Sequence, residues 1–171
     1  MSKRITLMLV FIGMITLQSC TVNEVKEGPD KDTISEVFEY SNVNLTNSND
    51  YSRILNFPFA IYPSDMVLVY RLTGLDSNRD VWKLLPETYY YDDGTLNFGY
   101  KNDFTRVNAV VELFGYDLPG LNPDFRLNQV FRVVVIPGSF ASRTAAFNFE
   151  DYEAVVERYQ LDEANVIKIQ E

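Results

Sequence analysis

The residue best placed for chemistry is Cys20, the only cysteine of the 171-residue chain. Lys3 and Arg4 precede an uncharged, mostly apolar run over residues 5–17, and Leu17-Gln18-Ser19 leads into the cysteine. This layout is typical of a secretory signal peptide, and the run is shorter than the ~20 apolar residues that span a bilayer. A small residue before the cysteine and an aliphatic one three positions before it resemble the bacterial lipobox. We therefore predict cleavage after Ser19 and attachment of a diacylglycerol to the Cys20 thiol. Two or more acyl chains make a stable membrane anchor, whereas one does not.

Lipidation would consume the single thiol, so the exported chain would fold without a disulfide. Residues 21–32 (TVNEVKEGPDKD) are charged, contain Gly28-Pro29 and lack an apolar period. This composition predicts a flexible tether between Cys20 and a domain over residues 33–171. Because that domain has no disulfide bond, its stability must come from a packed core.

Aromatic side chains are concentrated in one later part of the sequence and could stack on the C–H faces of sugar rings. The plainer interpretation is that strand alternation sends half of them into the core. The candidate ligand-binding aromatics are Trp82, Tyr89, Tyr90, Tyr91, Phe98 and Tyr100.

A weak calcium-binding pattern lies in the same region, where oxygen-bearing side chains stand at positions 1, 3, 5 and 12 of a loop resembling the EF-hand register. Position 6 is Val81, where the calcium loop needs glycine, so an ordinary polar turn is the favoured interpretation. We expect neither a metal nor another cofactor. The four candidate ligands are Asp76, Asn78, Asp80 and Glu87.

The chain contains no histidine, which removes the commonest general base and every Ser-His or Cys-His nucleophile pair. Nucleotide-binding and GxSxG patterns are also missing from the sequence. A glycosidase needs only two carboxylates, and 24 acidic residues are present. We therefore predict that the protein is not an enzyme, with a carboxylate-based hydrolase as the least favoured alternative.

The formal net charge is −9, and it becomes −11 when Lys3 and Arg4 leave with the signal peptide. Such acidity repels phosphate backbones and anionic headgroups, so we expect no nucleic-acid partner and membrane contact through the lipid. The 46% of hydrophobic residues is enough for one folded domain.

The elements that must position these residues are predominantly strands. About eight short runs rich in β-branched and aromatic residues are separated by turn signals, among them Asp92-Asp93-Gly94. Residues 66–72 (MVLVYRL) are almost wholly apolar, which predicts a central strand covered on both faces. Residues 149–159 have helical spacing, with Asn148 as N-cap, and we expect this helix to cap one end of the molecule. The predicted fold is an all-β antiparallel sandwich with one C-terminal helix, and α+β is the alternative.

Four segments resemble an uncharacterised family of Bacteroidota (flavobacterial) lipoproteins: residues 65–72 (DMVLVYRL), 80–86 (DVWKLLP), 127–138 (LNQVFRVVVIPG) and 151–155 (DYEAV). The resemblance covers most of residues 33–169. Some members carry collagen-like tracts after the lipid-bearing cysteine, whereas this chain keeps only Glu27-Gly28-Pro29. The resemblance implies a lipoprotein but no activity and no functional residues.

Asp32-Thr33-Ile34 resembles the sites that Bacteroidota O-glycosylate on exported proteins, which makes Thr33 a candidate glycosylation site. Together these features predict an outer-membrane lipoprotein, on the periplasmic or surface face, with a non-catalytic binding or interaction domain. A glycan and an envelope protein are the candidate partners.

Overall fold

The computed structural model describes residues 34–141 and 147–171, which form two packed β-sheets and a helical layer. The nine strands of this part of the chain are β1 (Glu36–Val43), β2 (Ser52–Asn56), β3 (Met66–Asp76), β4 (Arg79–Leu84), β5 (Glu87–Tyr90), β6 (Leu96–Phe104), β7 (Asn108–Gly115), β8 (Gln129–Ile136) and β9 (Ile167–Gln170). The helices are α1 (Gly138–Ala141) and α2 (Tyr152–Tyr159), with single 3₁₀ turns at Asn47–Asn49, Pro123–Phe125 and Glu163–Asn165. The prediction of an all-β sandwich with a C-terminal helix is confirmed.

Sheet A has the strand order β4-β3-β8-β1-β9, and sheet B has the order β2-β7-β6-β5. Every pairing is antiparallel except that of β9 with β1. The hairpin predicted at Asp92-Asp93-Gly94 joins β5 to β6, and Gly94 has a φ of 83°. Glycine accepts this conformation without steric cost, which allows the chain to reverse there.

Strand β3 is an interior strand of sheet A, and its first half is covered on both faces, as the apolar run over residues 66–72 predicts. Its neighbours are β4 and β8. Val67 and Val69 pack between the two sheets, while Leu68 and Tyr70 pack on the outer side of sheet A. Because successive strand residues point to opposite faces, a strand buried on both sides needs a continuous apolar run.

The main core lies between the sheets and is built from alternate residues of both. Its largest fully buried members include Phe38, Tyr40, Leu55, Tyr100 and Phe131. The hydroxyl of Tyr40 donates to the backbone oxygen of Asn56 (2.7 Å), and that of Tyr100 donates to the backbone oxygen of Phe125. These bonds satisfy the buried phenol oxygens, so the rings can be buried at little polar cost.

Helix α2 lies on the outer face of sheet A, so the prediction that it caps an end of the sandwich is wrong. Its buried residues Tyr152, Val155 and Tyr159 pack in the cluster that contains Tyr70 and Trp82. The predicted N-cap is also wrong. Asp151 caps the helix by accepting from the Ala154 amide (3.1 Å), whereas Asn148 accepts from the Glu150 amide (3.0 Å) in the preceding turn. The apolar spacing predicts that the helix begins at residue 149. Residues 149–150 form a turn instead, and the helix begins at residue 152.

The two ends of the sandwich are distinct. We call "entry end" the end at which the described chain begins at Ile34, together with residues 57–65, residues 104–108 and Pro137. We call "distal end" the opposite end, formed by residues 44–51, 77–78, 91–95 and 116–128. Strand β3 runs from the first to the second, and its 11 residues correspond to about 35 Å.

Candidate functional site

A buried ion pair links the two sheets toward the distal end. Arg71 of β3 donates from Nε to Glu87 Oε2 (2.9 Å) and from an η nitrogen to Glu87 Oε1 (3.1 Å). The side chains of Arg71 and Glu87 are 4% and 0% exposed. Sheet alternation creates this contact, since Arg71 pairs with Phe131 and Glu87 pairs with Tyr100 on the inward faces of the two sheets.

Further polar groups complete the coordination of this pair. Arg71 also donates to the Gln129 side-chain oxygen (3.1 Å) and to the Tyr89 hydroxyl (2.7 Å), and that hydroxyl donates to Glu87. The Arg71 guanidinium carbon lies 4.4 Å from the centre of the Tyr100 ring, a cation–π contact. Two charges can remain buried here because each has several hydrogen-bond partners.

The environment of Glu87 keeps it ionised. Burial by itself would raise the pKa of this carboxyl, but hydrogen bonds from Arg71 and Tyr89, with the charges of Arg71 and Lys83, lower it overall. Burial and the hydrogen bond to Glu87 raise the pKa of Tyr89 to about 12. A carboxylate held this way accepts hydrogen bonds and fixes the positions of Arg71 and Tyr89.

A cleft of about 480 Å³ lies directly against this network at the distal end. Arg71, Tyr89 and Gln129 contribute to its lining, together with Phe125 and Asp124 of the 116–128 segment. Gln129 holds that segment in place by donating to the backbone oxygens of Asp124 and Leu127, both at 2.8 Å. The cleft is therefore a concave surface with polar side chains, fixed on strands and one braced loop.

The structure does not bring the six candidate aromatics together in one exposed strip. Three of them are buried, in line with the plainer interpretation that strand alternation sends half into the core. Phe98 and Tyr100 belong to the core between the sheets. Trp82 is buried on the other side of sheet A, with the Arg132 guanidinium 4.1 Å from its ring centre. The physical reason is that successive side chains of a strand point to opposite faces, so aromatics on neighbouring strand positions are divided between different surfaces.

The remaining three aromatics lie at the distal end. Tyr89 is half-buried and stacks on Phe98 with ring centres 4.4 Å apart, beside the cleft. Tyr90 is 61% exposed and Tyr91 is 48% exposed. A bulge between Tyr89 and Tyr90 shifts the register at this point, so that Tyr90 pairs with Leu96. These two tyrosines are available to a ligand.

Tyr116 is a further exposed aromatic that the sequence analysis did not single out. It is 94% exposed, and its amide donates to Asn97 O (3.3 Å) beside the end of β6. Its position directly after β7, before a loop rich in proline and glycine, is the sequence signal that could have identified it.

The four calcium candidates are separated by the fold. Asp76 and Asn78 lie at the turn of the β3–β4 hairpin and Asp80 lies on β4, whereas Glu87 is buried in sheet B against Arg71. Ser77 and Asn78 both have positive φ, of 50° and 68°, which is the geometry of a two-residue hairpin turn. Within residues 34–141 and 147–171, no group of three or more Asp, Glu, His or Cys residues is arranged to hold a metal ion.

Asp76 and Asp80 instead line a cleft of about 230 Å³ with the acidic residues that precede and begin α2. Arg79, in the same cleft, forms an ion pair with Glu153 (3.6 Å) between two exposed side chains. This is a solvated charged surface between a hairpin and a helix.

A second guanidinium network fixes α2 to sheet A. Arg132 of β8 donates to Glu39 (2.9 Å), to Glu163 (2.6 Å) and to the Tyr152 hydroxyl (2.9 Å). Tyr152 in turn donates to Glu163 (2.9 Å). Since every partner belongs to this chain and joins strands to the C-terminal helical segment, the network has a structural role.

Two predicted modification sites, Cys20 and Thr33, lie outside the described residues. In the described part of the chain, no helix is long and apolar enough to cross a membrane. Comparisons with protein-family models, characterised proteins and solved structures find no match to this chain.

Proposed function

We propose that the protein is a cell-envelope lipoprotein, attached to the outer membrane through acyl chains on Cys20, and that its sandwich is a non-catalytic binding or interaction module. The lipobox at residues 17–20 and the resemblance to Bacteroidota lipoproteins support the attachment. The ligand binds at the distal end.

The observation that carries this proposal is that the two ends of the domain differ. The described chain begins at Ile34 at the entry end, where the tether would join it. The larger cleft and the exposed Tyr90, Tyr91 and Tyr116 lie at the distal end. The part of β3 that lines the cleft, Arg71 to Gly74, lies about 16–27 Å along the strand from its start at Met66. A module tethered at one end and concave and aromatic at the other can reach a partner without obstruction by the bilayer.

A glycan is the more specific candidate ligand, favoured by the three exposed tyrosines. Tyrosine rings pack on the C–H faces of pyranose rings while their hydroxyls form hydrogen bonds. An envelope protein is the other candidate, since exposed aromatics are also enriched in protein interfaces.

The attachment is tested by metabolic labelling with radioactive palmitate and by detergent partitioning of the wild-type protein and Cys20→Ala. We expect label and detergent partitioning in the wild type and no label in the variant, whose partitioning is compared only after its mass shows that residues 1–19 have been removed. An unlabelled wild-type protein, or a Cys20→Ala protein that still takes up label, would contradict the proposal.

Binding is tested with detergent-solubilised protein on a glycan array and in pull-downs from its own membranes. Tyr116→Ala and Tyr90→Ala should each weaken binding about tenfold, the loss of roughly 1–1.5 kcal/mol expected for one aromatic contact. Tyr62→Ala removes a matched tyrosine at the entry end and should leave binding unchanged. Equal effects of all three substitutions would show that the distal end is not the binding surface.

A further inference from the structure

The entry end exposes five large hydrophobic side chains. Ile34 is 67% exposed and Val107 is 52% exposed. Phe104, Tyr62 and Phe59 are 48%, 47% and 44% exposed. Contiguous apolar surface of this kind marks a place where the protein meets another apolar phase.

Several contacts hold these residues as one surface, which we call the entry face: Ile34, residues 57–65 and residues 104–108. Ile34, Phe59 and Tyr62 line one cleft of about 200 Å³. The Phe57 amide donates to Val107 O and the Ile61 amide donates to Arg106 O, both at 2.8 Å. Because two loops are bonded to each other in this way, their apolar side chains are presented together.

The charge of the entry face is close to neutral. Residues 57–65 contain one charged side chain, Asp65, and residues 104–108 contain one, Arg106. Glu36 lines the cleft and Asp103 precedes Phe104 on β6, so the acidity at this end is modest.

The loops of the distal end are acidic by comparison. Arg126 is the one basic residue in residues 44–51, 77–78, 91–95 and 116–128, which hold five aspartates: Asp50, Asp92, Asp93, Asp117 and Asp124. The negative charge of the whole chain is thus unevenly distributed. Carboxylates lose favourable hydration at a lipid surface, so contact there would cost the distal loops more than the entry face.

We propose that the entry face lies against the lipid bilayer, with Phe59, Tyr62 and Ile34 at the boundary between headgroups and acyl chains. This inference rests on the proposed attachment through Cys20. Aromatic side chains favour the membrane interface because the ring is apolar while its edge tolerates water. The contact is with neutral lipid, since the entry face has no excess of basic residues for anionic headgroups.

The chain length before Ile34 makes a weak contact sufficient. Fourteen residue steps separate Cys20 from Ile34, and fully extended they reach at most about 50 Å. A tether of this length keeps the local concentration of the entry face at the bilayer high, in the millimolar range typical of short linkers. A face with only a few apolar side chains can then remain bound, and it orients the distal end away from the membrane.

The single cysteine makes a direct test possible, because Cys20 is consumed by lipid and any introduced cysteine is a unique labelling site. Tyr62→Cys and Tyr116→Cys are labelled with the same environment-sensitive fluorophore in the full lipidated protein. The proteins are reconstituted in phosphatidylcholine vesicles that contain a nitroxide-labelled phosphatidylcholine. We expect at least about threefold stronger quenching at position 62 than at position 116, since interfacial contact places a side chain about 5–10 Å into the boundary. The difference should persist in 1 M salt because it does not depend on charge.

Unfolding by urea, compared with the wild type, verifies that both labelled variants are folded, and vesicle flotation reports attachment separately. Equal quenching at both positions in protein that floats would overturn the bilayer contact and leave the lipoprotein proposal intact. Protein that fails to float would overturn both. Shielding of position 62 only after an envelope extract is added would assign the entry face to a protein partner and overturn the bilayer contact.

Discussion

Arg71 and Glu87 are ionised side chains in a place where water has little access. The desolvation cost of each is offset by the other and by Tyr89 and Gln129. Such a pair contributes little net stability compared with apolar residues, but the loss of one partner leaves a buried charge unpaired.

We predict that Glu87→Gln destabilises the protein by about 3 kcal/mol, because Arg71 then remains charged and buried without a carboxylate. Urea unfolding followed by circular dichroism measures the change. Glu112→Gln is the matched control: it breaks the Glu112–Lys101 pair (3.0 Å) between half-exposed side chains and should cost less than about 1 kcal/mol. Similar losses in the two variants would show that the buried pair has no special role.

Acid should destabilise the protein through the same carboxylate. The pKa of Glu87 is lower in the folded protein than its ordinary value of 4.5. The contribution of the ionised carboxylate is therefore complete above pH 4.5 and is lost as the pH falls through the lowered pKa. We expect the urea midpoint to fall in that acidic range, and to fall less steeply in Glu87→Gln. Parallel pH profiles for the two proteins would contradict this assignment.

At the level of single residues, the sequence predicts alternation but not which face is covered. Tyr89, Tyr90 and Tyr91 are consecutive, and one faces the core while two are exposed. The inward position of Tyr89 depends on Arg71 and Glu87, which approach from strands of different sheets. A pairing between residues 16 positions apart on two sheets has no signature in a linear pattern.

The strands are the elements that sequence predicts well. The apolar run at residues 66–72 and the Asp-Gly turn correspond to β3 and to the β5–β6 hairpin. The helix is less well predicted at its start, because Asn148 and Asp151 are both good caps and tertiary packing decides between them. Its location on sheet A depends on the outer residues of β3 and β8, which cannot be recognised as a face until the strand order is known.

Helix α2 should be held mainly by its apolar face. Val155 is fully buried in the cluster on sheet A, so Val155→Ala should cost about 2 kcal/mol through lost contacts and a residual cavity. Hydrogen exchange should show faster exchange of the amides of residues 152–159, and urea unfolding gives the free energy.

Glu157→Ala is the control on the exposed side of the same helix, where a surface substitution should change stability by at most about 0.5 kcal/mol. Exchange that increases equally in both variants would indicate that the sheet contact contributes little to the helix.

At the scale of the whole molecule, β9 is the edge strand of sheet A and covers β1 by pairing with it. Ile169 of β9 pairs with Tyr40, and the Arg53 side chain bonds to Glu171. Truncation after residue 165 should lower the urea midpoint and leave the edge of β1 open to association, seen as oligomers in size-exclusion chromatography. Lys168→Ala, which alters an exposed side chain of β9, should leave the elution volume and the stability near those of the wild type. A truncated protein with the wild-type elution volume and midpoint would contradict this.

The same pairing would have a kinetic consequence in the proposed export of the chain across a membrane. Strand β1 is translated early, but its neighbours in sheet A are β8 and β9. Phe38, for example, pairs with Val133 and Ile167, which are made much later. Contacts this distant in sequence form slowly and cannot nucleate from the amino-terminal half alone. Strand β1 therefore has no partner in sheet A until β8 is available, and its pairing with β9 comes later still. We expect the chain to stay unfolded, and so able to pass through a translocation channel, at least until residues 129–136 have been made.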